Sequence, residues 1–226
     1  MATWVITGAN RGLGLEFAKQ LLAEGHTIIA GVRNPEAMDF HHEQMIVYQL
    51  DVASTTSVET FAKNVKSSVS SIDVLVNNAG RMDGRWQSLE EVDPELSLDV
   101  LNVNTIGPLR VSQALWPLLQ GDKPTKVANI SSLMGSIDDC ISGRSYAYRT
   151  SKTGLNMITK ILAVEGQPDK ITVTSYHPGW AKTDMGGERA PVPASVSVQG
   201  LIGLIQQQTA ERSGRFFEYT GEELPW

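Results

Sequence analysis

A short apolar run, Thr3 to Thr7, passes directly into the turn Thr7-Gly8-Ala9-Asn10-Arg11-Gly12-Leu13-Gly14, which opens an amphipathic helix predicted over about Gly12 to Glu24. A second strand-length run, Thr27 to Val32, follows at once. Strand, glycine turn, helix and strand in that order make a βαβ unit, whose crossover calls for parallel pairing. Gly8 permits a tight turn, while Gly12 and Gly14 let a bound group approach the backbone closely. The N-terminus of the following helix presents free N–H groups to an anion such as a pyrophosphate.

The same alternation continues along the chain. Strands are predicted near Met45 to Leu50, Ile72 to Val76, Lys126 to Ile130, Ile171 to Tyr176 and Arg215 to Tyr219, with helical patterns between most of them. In the last helix, near Ala194 to Gln208, Ala194, Val198, Leu201, Ile202 and Ile205 share one face and Pro193 suits the first turn. The pattern predicts an α/β chain with a doubly wound, seven-stranded parallel sheet covered by helices on both faces. No repeat or linker divides it, so residues 1–226 read as a single domain. The least regular stretches are Arg81 to Pro94, Leu133 to Ser145 and Thr183 to Pro193. Loops at strand ends of such sheets are where sites form.

Composition narrows the class. A chain of 226 residues with 41% hydrophobic content can bury a substantial core, and no segment approaches the ~18 consecutive apolar residues of a membrane span. The chain reaches its glycine turn too soon for a signal peptide, so a cytoplasmic location is expected. A net charge of -6 disfavours nucleic acid or an anionic membrane as the main partner. Cys140 is the only cysteine and the four histidines show no metal-like spacing, so neither a disulfide nor a metal site is expected.

Tyr148 and Lys152 lie four residues apart in Tyr148-Arg149-Thr150-Ser151-Lys152. On a helix they share a face, and the ammonium is expected to stabilise phenolate, lower the tyrosine's pKa and make Tyr148 a proton donor near neutral pH. Further motifs follow the glycine turn in order: Asp51-Val52, Asn77-Asn78-Ala79-Gly80, Asn104 with Gly107, Ser132, the tyrosine–lysine pair, Pro178-Gly179 and Thr183. The TGxxxGxG turn and this ordered series resemble the short-chain dehydrogenase/reductase family across essentially the whole chain. The closing Gly-Glu-Glu-Leu-Pro-Trp is similar to the carbonyl-reductase branch that includes the C-factor and sniffer proteins.

The resemblance implies roles. Ser132, Tyr148, Lys152 and Asn104 would form the catalytic set, with Ser132 positioning the substrate oxygen and Asn104 holding a water relay behind the lysine. Ser132 and Tyr148 are 16 residues apart, more than in many relatives, which implies a longer loop between them. Gly8, Asn10, Arg11, Gly12, Leu13 and Gly14 would hold the cofactor phosphates, and Asp51 and Val52 its adenine. Asn78, Ala79 and Gly80 would face a ribose, and Pro178, Gly179, Trp180 and Thr183 the nicotinamide. Taken alone, Asp51 is a turn or cap residue, Asn78-Ala79-Gly80 a plain turn, and Asn104 a poor helix former facing solvent.

Cofactor choice follows from charge. NAD-binding relatives close the second strand with an acid that accepts hydrogen bonds from the ribose 2′-hydroxyl. Here that place reads Val32-Arg33-Asn34, so Arg33, helped by Arg11, suits the 2′-phosphate of NADP(H). The expected activity is NADPH-dependent reduction of aldehydes, ketones or quinones. Its rivals are NADP-dependent oxidation of a steroid or lipid-headgroup alcohol, and an NADP-binding signalling or redox-sensing role. A short substrate loop near 183–193 predicts an open pocket. Trp180 is a candidate for its wall, whereas Trp86 has no clear assignment. Relatives commonly pair through two long helices, here near Leu98 to Leu119 and Tyr148 to Gly166, which implies a homodimer or homotetramer, with the monomer of some members of the branch as the alternative.

Overall fold

The computed structural model describes residues 1–226. β1 (Thr3–Thr7) is buried beyond its first residue, and α1 (Gly12–Ala23) buries Phe17, Ala18, Leu21 and Leu22, the spacing of one helical face. β2 (Thr27–Val32), β3 (Met45–Gln49), α2 (Thr55–Ser68) and β4 (Val74–Asn77) follow. Ser54 caps α2 by accepting from the Ser57 N–H. α3 (Pro94–Leu101) begins with proline in its first turn and Asp93 as its cap, the carboxylate accepting from the N–H groups of Glu95 and Leu96.

The helix expected from Leu98 to Leu119 is present within an unbroken helical run from Pro94 to Leu119, but it is not α-helical throughout. After α3 one π-helical turn, Asn102–Ile106, intervenes before α4 (Gly107–Leu119). Such a wide turn carries an extra residue past the ordinary hydrogen-bond ladder and rotates the side chains that follow. β5 (Thr125–Ile130), α5 (Tyr146–Glu165) and β6 (Ile171–His177) complete the central crossovers. The stretch expected to be irregular near Thr183 to Pro193 is bounded by a two-residue parallel ladder, β7 (Ala181–Lys182) with β8 (Val192–Pro193). α6 (Ala194–Gln206) and β9 (Phe216–Glu218) end the fold.

Seven strands form one sheet in the order β3-β2-β1-β4-β5-β6-β9, every pairing parallel. The two-residue period of a strand sends neighbours to opposite faces. Trp4, Ile6, Ile28, Ala30, Val74 and Val76 join α1 and α6 residues in one core, whereas Val5, Ile29 and Leu75 join α2, α4 and α5 residues in the other. A doubly wound sheet buried on both faces results. Strand order reverses between β1 and β4, so the loops after these two strands part around a crevice. No helix is long and apolar enough to cross a membrane.

Candidate active site

The crevice is built by Thr7 and Asn78. The Thr7 hydroxyl accepts from the N–H groups of Asn78 and Ala79 at 3.0 and 2.9 Å, while Asn78 Nδ2 donates to the carbonyls of Thr7 and Gly8 at 2.9 and 3.2 Å. These bonds tie the glycine turn to the loop that ends in Gly80. Gly8 has φ +69°, and a Cβ on Gly14 would strike the Gly8 carbonyl and stand 2.6 Å from Asn78 Nδ2. Asn10 and Arg11 are exposed at the rim, whereas Leu13 packs against the core. Gly14 thus serves close packing inside the turn, and no side chain caps the start of α1, whose first N–H groups are left for an anion.

α5 presents Tyr148 and Lys152 on one buried face. Lys152 Nζ donates to the Ile130 carbonyl at 2.8 Å and lies 5.8 Å from the centre of the Tyr148 ring. Burial lowers the ammonium's pKa to about 8. For Tyr148 the expectation of a lowered pKa is corrected: burial raises it, and the Ser132 side chain, within hydrogen-bonding reach, and the charge of Arg85 only partly offset that. Lys152 points its hydrogen at a backbone carbonyl rather than at the phenol, so desolvation prevails.

Ser132 is buried and accepts from the Met134 N–H at 3.2 Å, capping the short 3₁₀ turn Leu133–Gly135. Its neighbour Ser131 is committed elsewhere, donating its hydroxyl hydrogen to Asn156 Oδ1 at 2.7 Å. Asn104 sits in the π turn and is fully buried, contrary to the solvent-facing reading of an isolated helical asparagine. Its Nδ2 donates to Ser151 Oγ at 3.0 Å and to the Arg81 carbonyl at 2.8 Å, and its Oδ1 accepts from the Arg81 N–H at 2.9 Å. Ser151 in turn donates to the Tyr148 carbonyl at 2.8 Å.

Other expected residues divide. Arg33 is exposed at the end of β2, where its side chain joins none of the chain's ion pairs. Arg11 instead pairs with Asp184 at 3.2 Å, an exposed contact that reaches from the glycine turn to the loop after β7. Asp51 Oδ1 accepts from the Ala53 N–H at 3.0 Å, the turn role that its isolated reading allowed. Val52 is buried and its carbonyl accepts from Arg110 at 3.2 Å. The Pro178 carbonyl accepts from Ser197 Oγ at 2.6 Å, and Gly179 takes φ +71°. Thr183 Oγ1 accepts from the Gly186 N–H at 3.2 Å, and Trp180 Nε1 donates to the Gly186 carbonyl at 2.8 Å.

Sequence reasoning missed Ser151, Asp184 and Arg85. Ser151 and Asp184 carry no mark of their own. Arg85 had one signal, a cation beside a tryptophan in a stretch without periodicity. It lines a cavity of about 310 Å³ together with Trp86, Trp180 and Arg189.

The model of the short chain dehydrogenase family matches residues 2–192. The chain is 41% identical over 169 residues to the C-signal protein of Myxococcus xanthus, an alignment that covers 75% of this chain and all of that protein. The carbonyl reductase Sniffer of D. melanogaster superposes with a TM-score of 0.95 at 31% identity over the full length of both chains. An NADPH-bound carbonyl reductase from chicken fatty liver gives 0.89 at 29% identity, covering 100% of this chain and 99% of that one.

Proposed function

This chain belongs to the short-chain dehydrogenase family, and on that premise we propose that it reduces aldehydes, ketones or quinones to alcohols at the expense of NADPH. What supports the cofactor is the fit of the cradle: a glycine turn leading into the uncapped start of α1, no carboxylate closing β2, and Arg33 exposed there. The NADPH-bound neighbour adds weight. When bound, the cofactor supplies hydride to the substrate's carbonyl carbon.

The chain's own residues handle the oxygen. The observation that carries the reading is that Tyr148, Lys152 and Ser132 are all buried and meet at one end of α5. Tyr148 gives its proton to the oxygen as negative charge develops there. Ser132 donates a hydrogen bond to the same oxygen and holds it in place. Lys152, charged below about pH 8, favours the phenolate left behind and takes part in returning a proton to it. Asn104 keeps the path behind the lysine polar through Ser151 and the Arg81 backbone. In balance, the carbonyl gains one hydride and one proton, and the cofactor is oxidised.

Residues 183–191, pinned by β7 and β8, serve as the short substrate loop of this one-domain enzyme. Pairing of two copies along α5 belongs to the same reading, supported by exposed Met157, Ile161 and Val164, which form one stripe on that helix. NADPH consumption against a panel of aldehydes, ketones and quinones tests the activity. Turnover in the parent, its loss in Tyr148→Phe with NADPH binding retained, and weak turnover with NADH are expected. Tight NADPH binding without turnover of any carbonyl would overturn the reductase reading.

A further inference from the structure

The cavity between Trp86 and Trp180 holds two guanidinium groups for which the chain supplies no counter-charge. Arg85 and Arg189 both line it, both are exposed, and neither takes part in any of the chain's ion pairs. The one acid in the lining, Glu188, has its side chain 97% exposed and leans toward Lys182 at 4.0 Å. In a chain of net charge -6, a cavity with two free cations is a local reversal of sign.

The aromatic walls are held in place. Arg85 lies over the Trp86 ring, 5.3 Å from its centre, which steadies the guanidinium while leaving its N–H edge free. Trp180 is fixed by its bond to Gly186. Trp86 adopts φ +65°, a costly backbone state for a bulky residue. It is kept there by its N–H donating to Ser145 Oγ at 3.0 Å and its carbonyl accepting from Arg144 at 3.3 Å. Arg144 and Ser145 take left-handed φ values of +74° and +56° themselves. Strain therefore gathers where the loop carrying Arg85 and Trp86 meets the start of α5. Tyr148 is three residues beyond Ser145, and the charge of Arg85 is felt at its phenol.

We propose that this cavity is an anion-binding substrate subsite, accepting carbonyl compounds in which a flat aromatic ring carries a carboxylate. The ring lies against Trp86 and Trp180, and the carboxylate accepts hydrogen bonds from Arg85 with Arg189 as the second cation. The inference rests on the reductase reading for the chemistry at the carbonyl, but the binding of the acid does not depend on turnover.

The test pairs 4-formylbenzoate with its methyl ester as substrates, alongside quenching of tryptophan fluorescence by 4-(hydroxymethyl)benzoate. Expected is a kcat/KM ratio favouring the acid, which falls about tenfold in Arg85→Gln and is largely kept in Arg85→Lys, as one charge-assisted hydrogen bond predicts. A ratio near unity, or one that Arg85→Gln leaves unchanged, overturns the inference while the reductase stands. If neither aldehyde is reduced, the wider carbonyl panel judges the reductase reading and the quenching judges the subsite: saturable quenching weakened in Arg85→Gln supports the subsite, and its absence overturns it.

Discussion

Asn104 grips Arg81 by both of that residue's backbone groups, accepting its N–H at 2.9 Å and donating to its carbonyl at 2.8 Å. A single buried amide thereby pins the loop after β4 to the π turn, and a third bond, to Ser151, joins both to α5.

Removing that amide takes a partner from the Arg81 N–H, the Arg81 carbonyl and the buried Ser151 hydroxyl. Asn104→Ala is expected to cost about 2 to 3 kcal/mol in urea unfolding and to lower turnover at least tenfold. A loss below about 0.5 kcal/mol would show that these bonds are readily replaced by water.

The buried amides Asn77 and Asn129 form a seam across the sheet. Asn77 Nδ2 donates to Asn129 Oδ1 at 2.9 Å, and Asn129 Nδ2 donates to Thr159 Oγ1 at 2.8 Å. Asn129→Leu should destabilise the fold by about 2 kcal/mol or more, because the Asn77 amide loses an acceptor in the core. Chemical denaturation of the variant gives the number directly.

The ammonium of Lys152, with its pKa lowered to about 8 by burial, sets an alkaline limit. It is charged below that value and neutral above it. Turnover should therefore fall as pH rises through about 8 under saturating substrate. A profile flat to pH 10 would detach the lysine's charge from the chemistry.

His177 limits stability on the acid side. Burial lowers its pKa to about 4, so between pH 6.5 and about 4 the unfolded chain binds the proton more readily than the folded one. Folding stability contributed by the neutral ring is present above pH 6.5 and is lost as pH falls toward 4, on the order of 2 kcal/mol by pH 4.5. Unfolding curves at pH 7 and 4.5 should differ less in His177→Phe than in the parent, by about that amount.

Asp184 competes for Arg11. Their ion pair is exposed, a setting in which such contacts contribute about 0 to 1 kcal/mol, so Asp184→Asn should leave the melting temperature nearly unchanged. If Arg11 also serves the 2′-phosphate, the same variant binds NADPH severalfold more tightly and NADH no better. Equal effects on the two cofactors would remove Arg11 from that role.

Much of the fold was legible because its signals are local and repeated. β1 and β2 occupy the expected Thr3–Thr7 and Thr27–Val32, and α6 begins at the expected Ala194 beside Pro193. The π turn at Asn102–Ile106 was not legible, since one extra residue per turn changes the hydrogen bonding without altering the composition. β7 and β8 are two residues each, too short for any period to show. In the candidate site, Tyr148, Lys152 and Ser132 were singled out by motif and lie buried together, while Ser131 is committed to Asn156. The direction of the Tyr148 pKa was misjudged because charge spacing on a helix says nothing of how deeply the pair is buried. Arg11's engagement with Asp184 depends on two segments 173 positions apart, a proximity that no local pattern encodes.

The ladder of β7 with β8 brings Ala181 beside Val192 and Lys182 beside Pro193, so both ends of the intervening segment are fixed before it leaves the body of the protein. A segment anchored in this way is exchangeable: its length and chemistry can be rewritten, by evolution or by grafting, while the sheet beneath keeps its register.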